Sequence, residues 1–168
     1  MRLFLLAMTA LLTINVIAAE TPPIVDAARH QDTVMLKHLL NAGSDPDTQQ
    51  ADGATALHWA VYHENIDAVA SLIEADSNVD AVNRLGASPL YLAAKNGSAN
   101  LIELLLEAGA NPNAAMPMGE TPIMTAARSG TAQGVQLLVE AGADVNIAEQ
   151  SREQTALMWA TAQGHVEV

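Results

Sequence analysis

Five histidines are the side chains of this sequence best suited to chemistry, because imidazole serves as a base or a metal ligand near neutral pH. His30 and His63 lie 33 residues apart, which places them on different structural units if the chain repeats. The segment HWAVYHE (58–64) lacks the HExxH spacing that puts two imidazoles on one helix face. We therefore expect no metal site and no histidine-based catalytic site.

The remaining polar residues form no catalytic pattern. The chain has no cysteine, and no serine stands in a nucleophile elbow. The acidic pairs fall in loop-like stretches, where we expect solvated carboxylates: Asp45 and Asp47, Asp76 and Asp80, Asp144 and Glu149. We therefore expect a non-enzymatic protein that needs no cofactor.

A repeated motif dominates the sequence. TALHWA, which begins at Thr55, returns nearly unchanged as TALMWA at Thr155. Related segments keep steps of 33, 33, 33 and 34 residues and begin at Pro22, Thr55, Ser88, Thr121 and Thr155. A fixed period in this range indicates stacked structural units, so both motifs are interpreted as scaffold. By the same argument, His58 and His165 are expected to form hydrogen bonds between loops, and Trp59 and Trp159 to lie in the core.

Each unit reads as a turn, a short helix, a glycine, a second helix and a second glycine. Thr or Ser at the motif start suits a helix N-cap, and glycine supplies the left-handed residue that closes a helix. Four positions depart from this pattern, and we expect locally irregular backbone at Gln31, Glu64, Asp76 and Glu153.

The TPLHxA-like starts and the endings LLEAGANPN and LLVEAGADVN resemble the ankyrin repeat family over residues 22–168. The resemblance implies an all-α solenoid of stacked helix–turn–helix units. We assign residues 20–168 to this domain, with about five repeats. The last repeat is incomplete and would leave the helix 156–162 uncovered on one side. We interpret the sequence as a fragment, the alternative being a partner that covers the last face.

The N-terminal residues 1–19 form a separate segment. One basic residue, Arg2, precedes an apolar run that ends at the small residues Ala18 and Ala19, which is the layout of a secretory signal peptide. There are two alternatives: the segment is retained as a membrane anchor, or it is buried as a helix. We expect an exported protein and favour the periplasm over an extracellular location.

The charge of the chain restricts its partners. The formal charge is −12, and removal of residues 1–19 leaves six basic and nineteen acidic residues, or about −13. Such a surface repels phosphates, so we expect no nucleic-acid binding. We also expect no membrane contact unless the N-terminal segment is retained.

In the ankyrin family, binding uses the turn tips and the concave face of the first helices. Matching positions here hold five of the six remaining basic residues, which predicts a basic, partly apolar groove. For Arg29, Lys95 and Arg128 there is an alternative explanation: each is expected in the last turn of a helix, where a cation is favoured by the helix dipole. The candidate partner-binding residues are Arg29, His30, Asp52, Tyr62, His63, Arg84, Leu85, Lys95, Asn96, Met118, Glu120, Arg128 and Arg152.

The resemblance implies a module that binds a protein, here one presenting acidic and apolar side chains. Two other functions stay open at this point. The repeats could regulate one exported enzyme as an inhibitor or protector, or they could act as a membrane-tethered scaffold.

The N-terminus of the native protein tests the signal-peptide prediction. We expect chemical sequencing of the protein isolated from its source to begin at or near Glu20, because cleavage follows small residues. A chain that begins at Met1 and sediments with membranes would contradict cleavage and support the anchor.

Overall fold

The computed structural model describes residues 21–168, and the predicted signal segment 1–19 lies outside them. This part of the chain forms nine α-helices without strands. Their bounds are α1 Pro23–Arg29, α2 Thr33–Asn41, α3 Ala56–Tyr62, α4 Ile66–Glu74, α5 Pro89–Asn96, α6 Ala99–Glu107, α7 Pro122–Ser129, α8 Ala132–Glu140 and α9 Ala156–Gln163. No helix among these residues is long and apolar enough to cross a membrane.

The helices stack in two rows. The first helices of the five repeats, α1, α3, α5, α7 and α9, pack each on the next, and each of the first four also packs on the second helix of its own repeat. The second helices form the other row, in which α2 contacts α4 and α6 contacts α8. This arrangement confirms the predicted all-α solenoid.

Aliphatic side chains between successive repeats form one continuous core. The third residue of the repeated motif shows how burial depends on a neighbour. Leu57, Leu90 and Ile123 are fully or almost fully buried, whereas the equivalent Leu157 is 67% exposed. Within the described residues, no helix pair packs on the far side of α9.

The motif residues start the first helices as the sequence predicted. Thr55, Ser88, Thr121 and Thr155 occupy the N-caps of α3, α5, α7 and α9 in extended backbone conformation. The Ser88 hydroxyl accepts a hydrogen bond from the Tyr91 backbone N–H at 3.2 Å. Such caps satisfy N–H groups that have no partner inside a helix.

Four residues adopt the left-handed backbone conformation usually reserved for glycine. Their φ angles are 59° at Gln31, 55° at Glu64, 58° at Asp76 and 55° at Glu153. The predicted irregularity is wrong at Gln31, Glu64 and Asp76, whereas the turn at Glu153 lacks the backbone bond that Gly53, Gly86 and Gly119 make. The Glu64 N–H donates to the Val61 carbonyl oxygen and the Asn65 N–H to that of Ala60. Gly97 and Ser98 make the equivalent two bonds in the next repeat. These hydrogen bonds close the helices as they do at glycine, so the three residues keep a strained but regular geometry.

Hairpin-like turns connect the repeats. Gln50 N–H donates to Ala54 O, and the turns around Gly86 and Gly119 repeat this bond. Adjacent turns also join: Arg84 N–H donates to Asp52 O at 2.8 Å, and Gln150 N–H to Met118 O at 2.9 Å. Between these two joined pairs the equivalent donor position is Pro117, which has no N–H. Pro117 instead lies against Gly86, where a Cβ would approach its Cδ to 2.6 Å.

The turn of the fifth repeat contains a buried acid. The expectation that Glu149 is a solvated loop carboxylate is wrong, since it is only 4% exposed. Its carboxylate accepts the Ser151 hydroxyl and the backbone N–H groups of Ser151, Arg152 and Gln154. These hydrogen bonds lower the pKa of Glu149, and the bond from the Ser151 hydroxyl has the largest effect. The carboxylate thereby organises a turn that is one residue longer than the others.

Glu64 offers a test of the strained backbone. Replacement by glycine removes the side-chain clash at positive φ, so we expect Glu64→Gly to raise the free energy of unfolding by about 0.5–1 kcal/mol in urea denaturation. Glu64→Gln removes the charge but keeps the strain and should change stability by less than about 0.5 kcal/mol. At the equivalent position of the next repeat, Gly97→Ala should lower the free energy of unfolding by about 1–2 kcal/mol. Equal effects of Glu64→Gly and Glu64→Gln would contradict the strain argument.

Candidate functional site

The candidate site is the inner face, defined as the surface formed by the first helices α1, α3, α5, α7 and α9 with the inter-repeat turns. All thirteen predicted binding residues lie in these turns, in these helices or at their C-terminal caps. The structure therefore brings them to one side of the solenoid, although several make bonds within the chain.

An aromatic cluster forms the inner face of the second repeat. The Trp59 ring meets Tyr62 edge-on at 5.8 Å and stacks on His63 at 5.9 Å between ring centroids. The Arg29 guanidinium of the first repeat lies 5.9 Å from the Trp59 centroid, within the range of a cation–π interaction. Tyr62 keeps 57% of its surface exposed, so this cluster offers an aromatic side chain to a partner.

The interpretation of both tryptophans as core residues needs correction. Trp59 and Trp159 pack against the core but are only partly buried, and each lies beneath an arginine of the preceding repeat. Their part in the inner face was missed because the shared motif suggested scaffold alone. The spacing could have shown this role. Trp59 precedes Tyr62, and Trp159 precedes Ala162, by three residues, and residues three apart share a helix face.

A groove of about 310 Å³ opens beside the aromatic cluster. We call it the repeat-2 groove, and it is lined by Asp52, Ala54, His58, Trp59, Tyr62, Asn83 and Leu92. Asp52 supplies its charge from the turn. The carboxylate Oδ1 of Asp52 accepts the Ala54 N–H and the Gln50 side-chain amide, both at 2.9 Å. The Ala54 bond is the main reason that the pKa of Asp52 is lowered, so the groove carries a negative charge.

His58 joins the second repeat to the third from inside this groove. It is 2% exposed, and its Nε2 donates to Ala87 O at 3.0 Å. Its Nδ1 accepts the Thr55 backbone N–H at 3.2 Å, an arrangement that requires neutral imidazole. Burial lowers the pKa of His58, against the opposing effects of the Ala87 bond and Asp52. The predicted inter-loop role is confirmed for His58, and for His165, whose Nε2 donates to Arg128 O at 3.1 Å.

Several predicted binding residues are occupied in structural contacts. Asn96 donates its side-chain amide to Val61 O at 3.2 Å and Tyr62 O at 3.4 Å. His30 lies 3.3 Å from the Asp26 carboxylate, and His63 accepts a long hydrogen bond of 3.5 Å from Gln31. These three residues reinforce helix ends and the contacts between repeats.

The middle of the inner face carries free side chains. Arg84 and Lys95 are exposed and form no ion pair in the described part of the chain. Leu85 is 73% exposed and Met118 is 58% exposed, both at turn tips. These four residues combine positive charge with accessible apolar surface.

Glu120 contacts polar groups of the third and fourth repeats. Its Oε1 accepts the Thr125 hydroxyl at 3.0 Å and the Tyr91 hydroxyl at 3.3 Å, and it lies 3.1 Å from Arg128 Nη2. Burial, with a smaller effect of the Glu120 charge, raises the pKa of Tyr91. Glu120 and Arg128, both predicted as binding residues, therefore pair with each other.

A second groove of about 240 Å³ follows on the fifth repeat. We call it the repeat-5 groove, and it is lined by Arg128, Arg152, Gln154, Trp159, Ala162 and Gln163. The Arg128 guanidinium lies 4.8 Å from the Trp159 ring centroid. Arg29, Lys95 and Arg128 all stand in the last turn of a first helix, as the helix-end alternative requires. Arg84 and Arg152 stand on turns, where that alternative does not apply.

Comparison with protein families decides the classification. A family model described as ankyrin repeats (3 copies) matches residues 24–116 and again 114–168. The chain belongs to the ankyrin repeat family. Ankyrin repeats are generally modules for protein–protein interaction and are typically not enzymes. No curated protein matches the chain in a sequence search. Among residues 21–168, no cluster of three or more histidine or acidic residues is arranged to hold a metal ion.

His58 provides a pH test of the contact between the second and third ankyrin repeats. Its folded-state pKa lies below the ordinary value of 6.5, so the unfolded chain binds a proton more readily. The stability that neutral His58 contributes is therefore present above pH 6.5 and is lost as the pH falls below it. We expect the free energy of unfolding to drop from pH 7.5 to 5.5, and to drop less in His58→Gln.

The same variant should be less stable than wild type by about 1–2 kcal/mol at pH 7.5, because the Ala87 and Thr55 bonds are weakened. His38→Gln, an exposed change on α2, is the control for loss of a histidine. If His58→Gln and wild type show the same dependence on pH, the neutral bridge is contradicted.

Proposed function

We propose that this ankyrin repeat domain binds a protein partner through its inner face. One observation carries the proposal: the two grooves, the aromatic cluster and five basic residues all lie along the first helices and turns. Tyrosine, tryptophan and arginine are the residues most enriched at the energetic centres of protein interfaces. The arrangement supports a continuous contact from the first repeat to the fifth.

Charge on this face favours a partner with accessible acidic groups. The chain as a whole is strongly acidic, yet Arg84, Lys95 and Arg152 project from the inner face without ion pairs in the described residues. Exposed leucine and methionine at the turn tips add apolar contact area. We therefore propose a partner that presents acidic and apolar side chains, bound less tightly as salt increases.

The signal-peptide layout supports a role outside the cytoplasm. We propose that the domain works after export, in the periplasm or outside the cell. The acidic net charge argues against nucleic-acid partners in either compartment.

Capture experiments with matched charge variants test the proposed interface. The chain is immobilised and exposed to the exported proteins of its source at low and high salt, and bound proteins are identified by mass spectrometry. We expect Tyr62→Ala and the pair Arg84→Glu with Lys95→Glu to reduce capture of the main partner by about tenfold or more.

Lys37→Glu is the control, because Lys37 is exposed on the second helix α2 and away from the inner face. It reverses one basic residue, as each change of the double variant does, and should leave capture unchanged. Thermal denaturation checks that every variant folds. Equal loss of capture in Lys37→Glu would show a nonspecific charge effect, and unchanged capture in the inner-face variants would exclude this surface.

A further inference from the structure

The repeat-2 and repeat-5 grooves share four equivalent positions of their repeats but open toward different neighbours. Asn83 and Leu92 of the third repeat line the first groove, and Arg128 of the fourth repeat lines the second. Positions one hundred residues apart in the chain pair as Trp59 with Trp159, Ala54 with Gln154, and Asp52 with Arg152. Each groove is built from a turn residue, a tryptophan and the end of a first helix. Shared positions with different side chains indicate two related sites that differ in what they accept.

Opposite charges line the two grooves. The repeat-2 groove contains the Asp52 carboxylate and no cationic side chain, since Arg29 contacts Trp59 without lining the groove. The Oδ1 atom of Asp52 accepts two hydrogen bonds, whereas its second oxygen accepts none from residues 21–168. An aromatic wall next to a carboxylate suits a guanidinium or ammonium group.

The repeat-5 groove has the reverse composition. Arg128 and Arg152 line it, and no carboxylate does. Glu120 pairs with one end of Arg128, and Arg152 is exposed. The Trp159 Nε1–H is buried and has no acceptor in the described residues, whereas the Trp59 Nε1–H donates to Gln50 Oε1 at 3.3 Å. Two guanidinium groups suit a carboxylate.

We propose that the two grooves bind side chains of opposite charge on one partner segment. The repeat-2 groove takes an arginine or lysine side chain between Asp52 and the Trp59–Tyr62 wall. The repeat-5 groove takes an aspartate or glutamate side chain between Arg128 and Arg152. This inference rests on the proposed function, in which one partner contacts the whole inner face, and adds the chemistry and order of its contacts.

Between two and three repeat spacings separate the grooves, because the first reaches the third repeat and the second reaches the fourth. With about 8–10 Å between packed helices, the separation is about 16–30 Å. An extended segment advances about 3.3 Å per residue, so the two charged side chains would stand about five to nine residues apart. Because the two grooves carry opposite charges, they also fix the direction of the segment: its basic side chain lies on the N-terminal repeats and its acidic side chain on the C-terminal repeats.

Nuclear magnetic resonance of the two indole N–H groups tests each groove separately. The chain contains two tryptophans, one in each groove, and Trp59→Phe and Trp159→Phe assign their signals. The probes are N-acetylarginine methylamide and N-acetylglutamate methylamide. We expect the arginine probe to shift the Trp59 signal and the glutamate probe to shift the Trp159 signal. If each probe moves both signals alike, or neither probe moves any, the proposal is overturned.

Neutralising variants identify the charges responsible. Asp52→Asn keeps an oxygen that can accept the Ala54 N–H, so the turn should persist while arginine-probe affinity falls at least about fivefold. Arg152→Gln should weaken the glutamate probe to a similar extent. Asp67→Asn and Lys37→Gln, exposed changes on the second helices, are the controls and should change neither. Unchanged probe affinity in the two groove variants would refute the assignment.

Exchange of the two turn residues gives a stronger test. The equivalent positions in the third and fourth repeats hold Leu85 and Met118, so this turn position accepts side chains of different chemistry. We expect the double variant Asp52→Arg with Arg152→Asp to weaken both probe interactions at their original grooves by at least about fivefold. Retention of the original selectivity would show that the turn charges do not set it.

The outcomes separate this inference from the proposed function. A captured partner that requires Tyr62 but is indifferent to Asp52→Asn and Arg152→Gln would leave the function intact and overturn the charge assignment. Selective probe binding without any captured protein would support the two grooves and count against the partner role.

Discussion

Burial between neighbouring repeats is the constraint on which the whole structure depends. A pair of short helices has one apolar side and cannot remove it from water alone, so each repeat completes the core of the next. Leu57 and Leu90 are fully buried, whereas Leu157 at the same motif position is largely exposed. Because such stability adds up between nearest neighbours, the residues that face the core are restricted in every repeat.

The inner face is free of that restriction, and its residues differ from repeat to repeat. At one turn position the chain holds Asp52, Leu85, Met118 and Arg152. These side chains point away from the shared core and are exposed, so exchange of charge there costs little packing energy. A constant scaffold thereby carries a series of chemically distinct positions in a fixed order. Binding specificity in such a domain follows from the order as much as from any single residue.

Much of the fold could be predicted because the period specifies it directly. The starts of the first helices, the closing glycines and the inter-loop bonds of His58 and His165 follow from repeated residues at fixed spacing. The regular backbone at Glu64 was not predicted. A preference for glycine at positive φ does not show that the hydrogen bonds which close the helix also form with glutamate there.

The site was less predictable, because residue types do not show which charges are already paired. The sequence predicted a basic, partly apolar groove. In the structure Asp52 makes one groove acidic, and Glu120 binds Arg128 within the chain. Glu149 was expected in solvent, yet it collects the backbone N–H groups of its own turn. Such pairings depend on distances between turns that the period does not encode.

Pro117 changes how neighbouring turns are joined. The turns of the second and third repeats are joined by one backbone hydrogen bond, and those of the fourth and fifth by another, but Pro117 cannot supply the bond between the two pairs. At that junction Pro117 packs on Gly86, and the Tyr91 hydroxyl donates to Glu120 across the two repeats. Side chains thus replace a backbone bond there, so this junction depends on residue identity where the other two do not.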